Sequence, residues 1–184
     1  MKNTNTKIYN ILLPLWLLIF LPSYLWLALI PLNYLIDRLV LKWSLGGVPD
    51  PGDTTDLSGV PGKGLFCRKH TWKICLTGFL GDLAGALILL IISIPLADRN
   101  EKLYDIGHAI MFDPFSNLAG LLIVVAAIVV SAVCIYFLDK WILGRAGLDP
   151  EQVKRSALRL ALITAPYLYL FPSRLLYEGG MLGI

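Results

Sequence analysis

The chain has 184 residues, 57% of them hydrophobic and 16% charged, with a formal net charge of +3. A water-soluble domain of this size is nearer half apolar and a quarter charged, so a soluble fold, a disordered chain and a collagen-like repeat are all excluded. Three cysteines are too few for a disulfide-stapled scaffold. The basic residues form no stripe interleaved with aromatics, which argues against a nucleic-acid partner. Nearly every Lys and Arg instead stands at the end of an apolar block, the pattern of charges that set orientation in a membrane.

Four such blocks follow along the chain, at 8–43, 74–97, 115–143 and 156–176. A helix needs about 20 apolar residues to cross about 30 Å of hydrocarbon, which suits the last three blocks as single crossings. The first would make a rod of about 54 Å, too long for one span even when tilted. Pro22 lacks an N–H and disfavours helix at Leu21, so this block divides into a hairpin with arms at 8–21 and 24–43. The first arm is short and either spans or re-enters. Lys2 and Lys7 ahead of it resemble the start of a signal peptide, but no small-x-small cleavage site follows, and the segment reads as an uncleaved anchor.

The predicted helices are thus 8–21, 24–43, 69–97, 114–143 and 150–176, in a single domain over 1–184. The expected fold is all-α: a polytopic integral membrane helical bundle of about five transmembrane helices, or four plus a re-entrant N-terminal arm. With the N-terminus inside, thirteen of the sixteen basic residues fall on the cytoplasmic side, and only Arg99, Lys102 and Arg174 fall outside. The positive-inside rule then gives a multi-pass protein of the plasma membrane with a cytoplasmic N-terminus and an external C-terminus. Trp43, Trp72 and Trp141 all come to the inner interface, where an indole finds both an apolar and a polar side.

The inner loop at 46–64 is rich in Gly and Pro and reads as mobile. Its Asp50, Asp53 and Asp56 lack the order of a calcium loop, and Gly59-Val-Pro-Gly-Lys-Gly64 has the wrong spacing for a phosphate loop. Asp149-Pro150 and Asp113-Pro114 each read as a helix start, and a short surface helix is expected near 104–111.

Asp82 is the residue that points to chemistry. It lies about 12 Å into its apolar block, where a carboxylate costs about 3 kcal/mol on insertion scales unless it is protonated, paired or facing water. Gly78, Gly81 and Gly85 surround it, and the small-xxx-small spacing of Gly81 and Gly85 lets a second helix approach closely. In the expected topology Arg38 lies in the same leaflet and is the predicted partner, with Asn33 one turn deeper completing a polar seam.

A second reading comes from Cys67, His70 and Cys75 at the basic start of the third helix. A membrane-embedded cysteine peptidase needs a thiolate, an imidazole and cationic surroundings, and Arg68, Lys69 and Lys73 supply the last of these. The spacing matches no zinc signature. The leading expectation is a non-enzymatic accessory or transport-type membrane component with an Asp82/Arg38 seam, no cofactor or metal, and the lipid bilayer as its surroundings. Self-association or a larger membrane partner would complete it. The alternatives are the Cys/His enzyme and a regulatory or immunity-like docking protein without chemistry.

Overall fold

The structure, a computed structural model, describes residues 26–46, 63–96 and 100–175. Within them the order is α1 (Trp26–Ser44), α2 (Lys63–Leu96), α3 (Glu101–Phe112), α4 (Leu118–Arg145) and α5 (Pro150–Ile163). Short 3-10 turns follow α3, at Pro114–Ser116, and α5, at Tyr167–Leu170. No strand occurs among the described residues, and the fold is all-helical. The predicted arm at 8–21, its turn at 21–24 and most of the 46–64 loop lie outside them.

Two helices are long and apolar enough to cross a membrane, over Phe66–Leu96 and Leu118–Arg145. At about 1.5 Å per residue α2 and α4 measure about 51 and 42 Å. The α1 helix is about 28 Å long and carries Asp37, Arg38 and Lys42. Pro31 sits inside α1 without ending it.

The boundaries correct the sequence reading in three places. First, α2 begins at Lys63 and not at 69, because the last breaker before it is the Pro61-Gly62 pair and Gly64 is tolerated in a first turn. Second, Asp113-Pro114 does not start the next long helix. Pro114 opens a 3-10 turn, and Asn117 caps α4 by accepting from the N–H groups of Ala119 and Gly120 at 2.9 and 3.3 Å.

Third, the last block is not one helix over 150–176. Asp149 caps its start by accepting from Glu151 N–H at 3.0 Å, but α5 stops after about 21 Å. Pro166 disfavours helix at Ala165, and the Thr164 N–H and hydroxyl both close back on the Leu160 carbonyl. The chain then continues as a second, 3-10 piece.

The long helices pair antiparallel in a single register. Thr77 meets Asp139, Gly81 meets Ile135 and Gly85 meets Ser131, so each step of four along α2 is matched by a step of four back along α4. One apolar cluster lies at the end where α2 begins, built on Leu41, Leu45, Phe66, Ile74, Leu143 and Leu160. Another lies towards the far end, built on Ala86, Leu89, Ile110, Val124, Ala127 and Tyr169. Between them the buried positions turn polar.

The outward faces show the opposite character. Trp72, Leu76, Leu80, Leu87 and Ile91 of α2 are exposed, as are Leu118, Leu122, Val129, Val133 and Phe137 of α4. Meanwhile Asp37, Thr77, Ser131, Asp139 and Ser156 are buried. A helix that is apolar all round belongs in a core or in lipid. Here the apolar side faces out.

Candidate functional site

The polar layer between the two clusters is assembled from three helices, one carboxyl from each. Asp37 of α1 is 1% exposed, Asp139 of α4 is 0% exposed, and Asp82 of α2 is partly buried. Asp37 is close enough to both other carboxyls for their charges to interact. Among the described residues no lysine, arginine or histidine stands against any of the three. One oxygen of each, Asp37 Oδ2, Asp82 Oδ1 and Asp139 Oδ2, is buried without a hydrogen-bond partner, as is the Ser131 hydroxyl.

The predicted Asp82–Arg38 pair is therefore corrected. Asn33 and Asp37 are one helical turn apart and face inward, and Arg38 is rotated about 100° further round α1, onto its exposed side. The place expected for its guanidinium beside Asp82 is held by a second acid. Asn33 does join the layer, beside Cys75 and on the wall of a cavity shared with Asp82. That cavity measures about 160 Å³ and is also lined by Leu29, Leu32, Phe79, Leu168 and Tyr169.

Hydroxyls connect the acids to the frame. The Thr77 hydroxyl is 2.6 Å from Asp139 Oδ1 and 2.8 Å from the Ile74 carbonyl oxygen. Thr77 has one proton to donate, so both contacts are hydrogen bonds at once only when the acid supplies the other proton. On the far side of the layer the Tyr169 hydroxyl donates to the Asp82 backbone carbonyl. The break at Pro166 is what allows this, because the 3-10 turn after it carries Tyr169 in towards α2.

The three glycines differ in role. A Cβ on Gly81 would lie 2.4 Å from Ile135 Cγ1, and one on Gly85 would lie 2.0 Å from Ser131 Oγ and 3.2 Å from the Ala127 carbonyl. Both therefore admit the backbone of α4. Gly78 is buried, but a Cβ added there would meet nothing within 4 Å. A comparable notch unpredicted from sequence is Gly120, where a Cβ would be 2.7 Å from Ala109 Cβ and α3 closes on α4.

The alternative Cys/His set is divided between two surroundings. Cys67 belongs to the apolar cluster at the start of α2, while Cys75 sits beside Asp37 and Asn33 in the polar layer. Both thiols are 1% exposed, which leaves no open approach for a peptide chain. The His70 ring stacks on Phe66 with centroids 4.3 Å apart, and its Nδ1–H donates to the Phe66 carbonyl at 3.0 Å. Among the described residues no three His, Cys, Asp or Glu side chains converge closely enough to hold a metal ion.

Asp37 and Asp139 escaped the sequence reading because each is followed by a basic residue, Arg38 and Lys140, and looks like part of a charged interface. The signal that finds them is rotational. Asn33 and Asp37 are four apart on one face of α1, and Ser131 and Asp139 are eight apart on one face of α4. No protein-family model matches the chain, and no curated protein or solved structure matches it either.

Proposed function

We propose that the protein is a multi-spanning membrane protein of transport type whose buried carboxyl layer takes up and releases protons. The observation that carries this reading is the meeting of three acids from three helices with no cation against them among the described residues. Charge balance in such a layer comes from protons or a small cation, and intramembrane acids of this kind mark proton pathways. Among the described residues no cluster fit for a metal ion forms, which leaves protons as the favoured balancing charge. The hydroxyls of Thr77, Ser131 and Tyr169 offer relay groups spread along about 12 Å of the α2–α4 seam, and the cavity beside Asp82 offers a place for exchange.

The membrane setting is supported by the apolar outer faces of two helices long enough to span, with a polar layer buried between the two apolar clusters. In our reading the start of α2 and the end of α4 face the cytoplasm, the N-terminus is inside and the C-terminus outside, following the thirteen-to-three split of basic residues. A bundle this small is thin for a complete pathway, so a second copy or a larger membrane partner completes it.

The test uses the full chain in liposomes. Infrared spectra should contain a neutral-carboxyl band that titrates with pH and weakens in Asp82→Asn and in Asp139→Asn. A pH-sensitive dye should show slower proton entry for the same variants at equal insertion. Identical spectra from wild type and the triple Asp37→Asn, Asp82→Asn, Asp139→Asn variant would end the proposal.

A further inference from the structure

A groove of about 460 Å³ runs along the shared surface of α2 and α4 and reaches Thr77 at the edge of the carboxyl layer. Its lining is sorted by depth. His70, Lys73 and Arg145 stand at the end where α2 begins, and Trp72 and Trp141 flank them, 60% and 56% exposed. Past that end the walls are Leu76, Leu80, Leu138 and Ile142. The α2–α4 register fixes this order, because residues near 73 on one helix lie level with residues near 143 on the other. From Lys73 to Leu80 the apolar wall runs about 10 Å.

Three features bear on what fits there. Among the described residues no Asp or Glu lines the groove, and Lys73 and Arg145 bring two cations to its mouth. The Arg145 guanidinium lies over the Trp141 ring, 4.0 Å from its centroid, which holds the plane in place while its N–H edge stays free to meet an oxyanion. A mouth of basic residues and indoles above an apolar slot matches the interfacial level of a bilayer, where headgroup phosphates lie above acyl chains. Free phosphate fits the mouth and leaves the slot unexplained. An anionic lipid accounts for both.

We infer that the groove between α2 and α4 binds one anionic phospholipid, its phosphate between Lys73 and Arg145 and an acyl chain along Leu76, Leu80 and Leu138. This rests on the membrane reading above and is independent of proton uptake. The lipid would fix α2 against α4 at the end next to the Thr77–Asp139 contact.

The test is made on the full chain, first floated with vesicles and then titrated with phosphatidylglycerol or phosphatidylcholine in detergent by native mass spectrometry. Expected is one phosphatidylglycerol per chain, held in preference to phosphatidylcholine. Lys73→Gln with Arg145→Gln should weaken it about thirty-fold, taking about 1 kcal/mol for each basic residue at an anionic surface. Lys154→Gln with Arg155→Gln, which removes two charges outside the groove, should leave it bound. Leu80→Trp, which fills the slot and keeps both charges, should also release it. Equal losses in the two charge-removal variants would reduce the site to general surface charge and overturn the inference. So would displacement by inorganic phosphate at matching concentration, or equal retention of phosphatidylcholine. Failure to float with vesicles would instead defeat the membrane reading itself.

Discussion

The Thr77 hydroxyl lies 2.6 Å from Asp139 Oδ1 and joins α2 to α4 in the buried polar layer. Thr77→Val keeps the shape of the side chain and removes the hydroxyl that Asp139 Oδ1 contacts, leaving a buried acid without a partner. This should lower stability in detergent by about 1–2 kcal/mol. Thr77→Val with Asp139→Leu should cost less than Thr77→Val alone, measured by thermal unfolding. A double variant worse than the sum of the singles would refute the contact.

The glycine notches should respond according to what a methyl group meets. Gly85→Ala drives a Cβ into Ser131 Oγ with the Ala127 carbonyl behind it, and Gly81→Ala drives one into Ile135. Each should destabilise by about 1–3 kcal/mol, the usual cost of overpacking. Ser131→Ala should recover part of the first loss and Ile135→Ala part of the second. Gly78→Ala should be neutral or stabilising by up to about 1 kcal/mol, since nothing lies in its way.

The orientation is checked by reporter fusions. A reporter placed after Gly147, between α4 and α5, should report the cytoplasm. One placed after Asn100, between α2 and α3, should report the outside. Equal signals from the two sites would mean that α4 does not cross.

Coupling within the seam distinguishes Asp37 from Arg38. Arg38 is exposed and turned away, so Arg38→Gln and Asp82→Asn should add to within about 0.5 kcal/mol in a double-mutant cycle. Asp37→Asn and Asp82→Asn should not add, because removing either acid relieves the other. The reverse pattern would restore Arg38 as the partner.

What was legible in the sequence follows from how each feature is encoded. The apolar blocks give helices directly, and Asp82 is conspicuous because it stands deep inside one. The glycines at 81 and 85 could be picked out as a spacing. The partner of Asp82 could not, because α2 and α4 are apolar nearly all the way round and carry little periodic signal to say which way a side chain turns. Arg38 and Asp37 are neighbours in the chain and point to different sides of α1, a difference of about 100° that a linear reading of depth ignores. The interruption at Pro166 was present in the sequence and was outweighed by the length of the apolar run around it. Likewise Asn117, a single polar residue, caps α4 where the louder Asp113-Pro114 pair does not.

The outward leucines and valines of α4 and its inward Ser131 also reverse the usual rules of tolerance. In a water-soluble bundle a charge is welcome outside and ruinous inside. In the membrane setting proposed above, Val129 near mid-helix is 56% exposed, and a lysine or aspartate there would cost about 3 kcal/mol of insertion, whereas Ser131 is fully buried in a place that already accepts a hydroxyl. Lysine and aspartate replacements along this helix would therefore be lost on the outer face, while small polar ones would be kept beside Ser131. Plotted by position, the losses of charge would trace the outward side of α4 at intervals of three and four residues, an outline of the surroundings drawn by what they forbid.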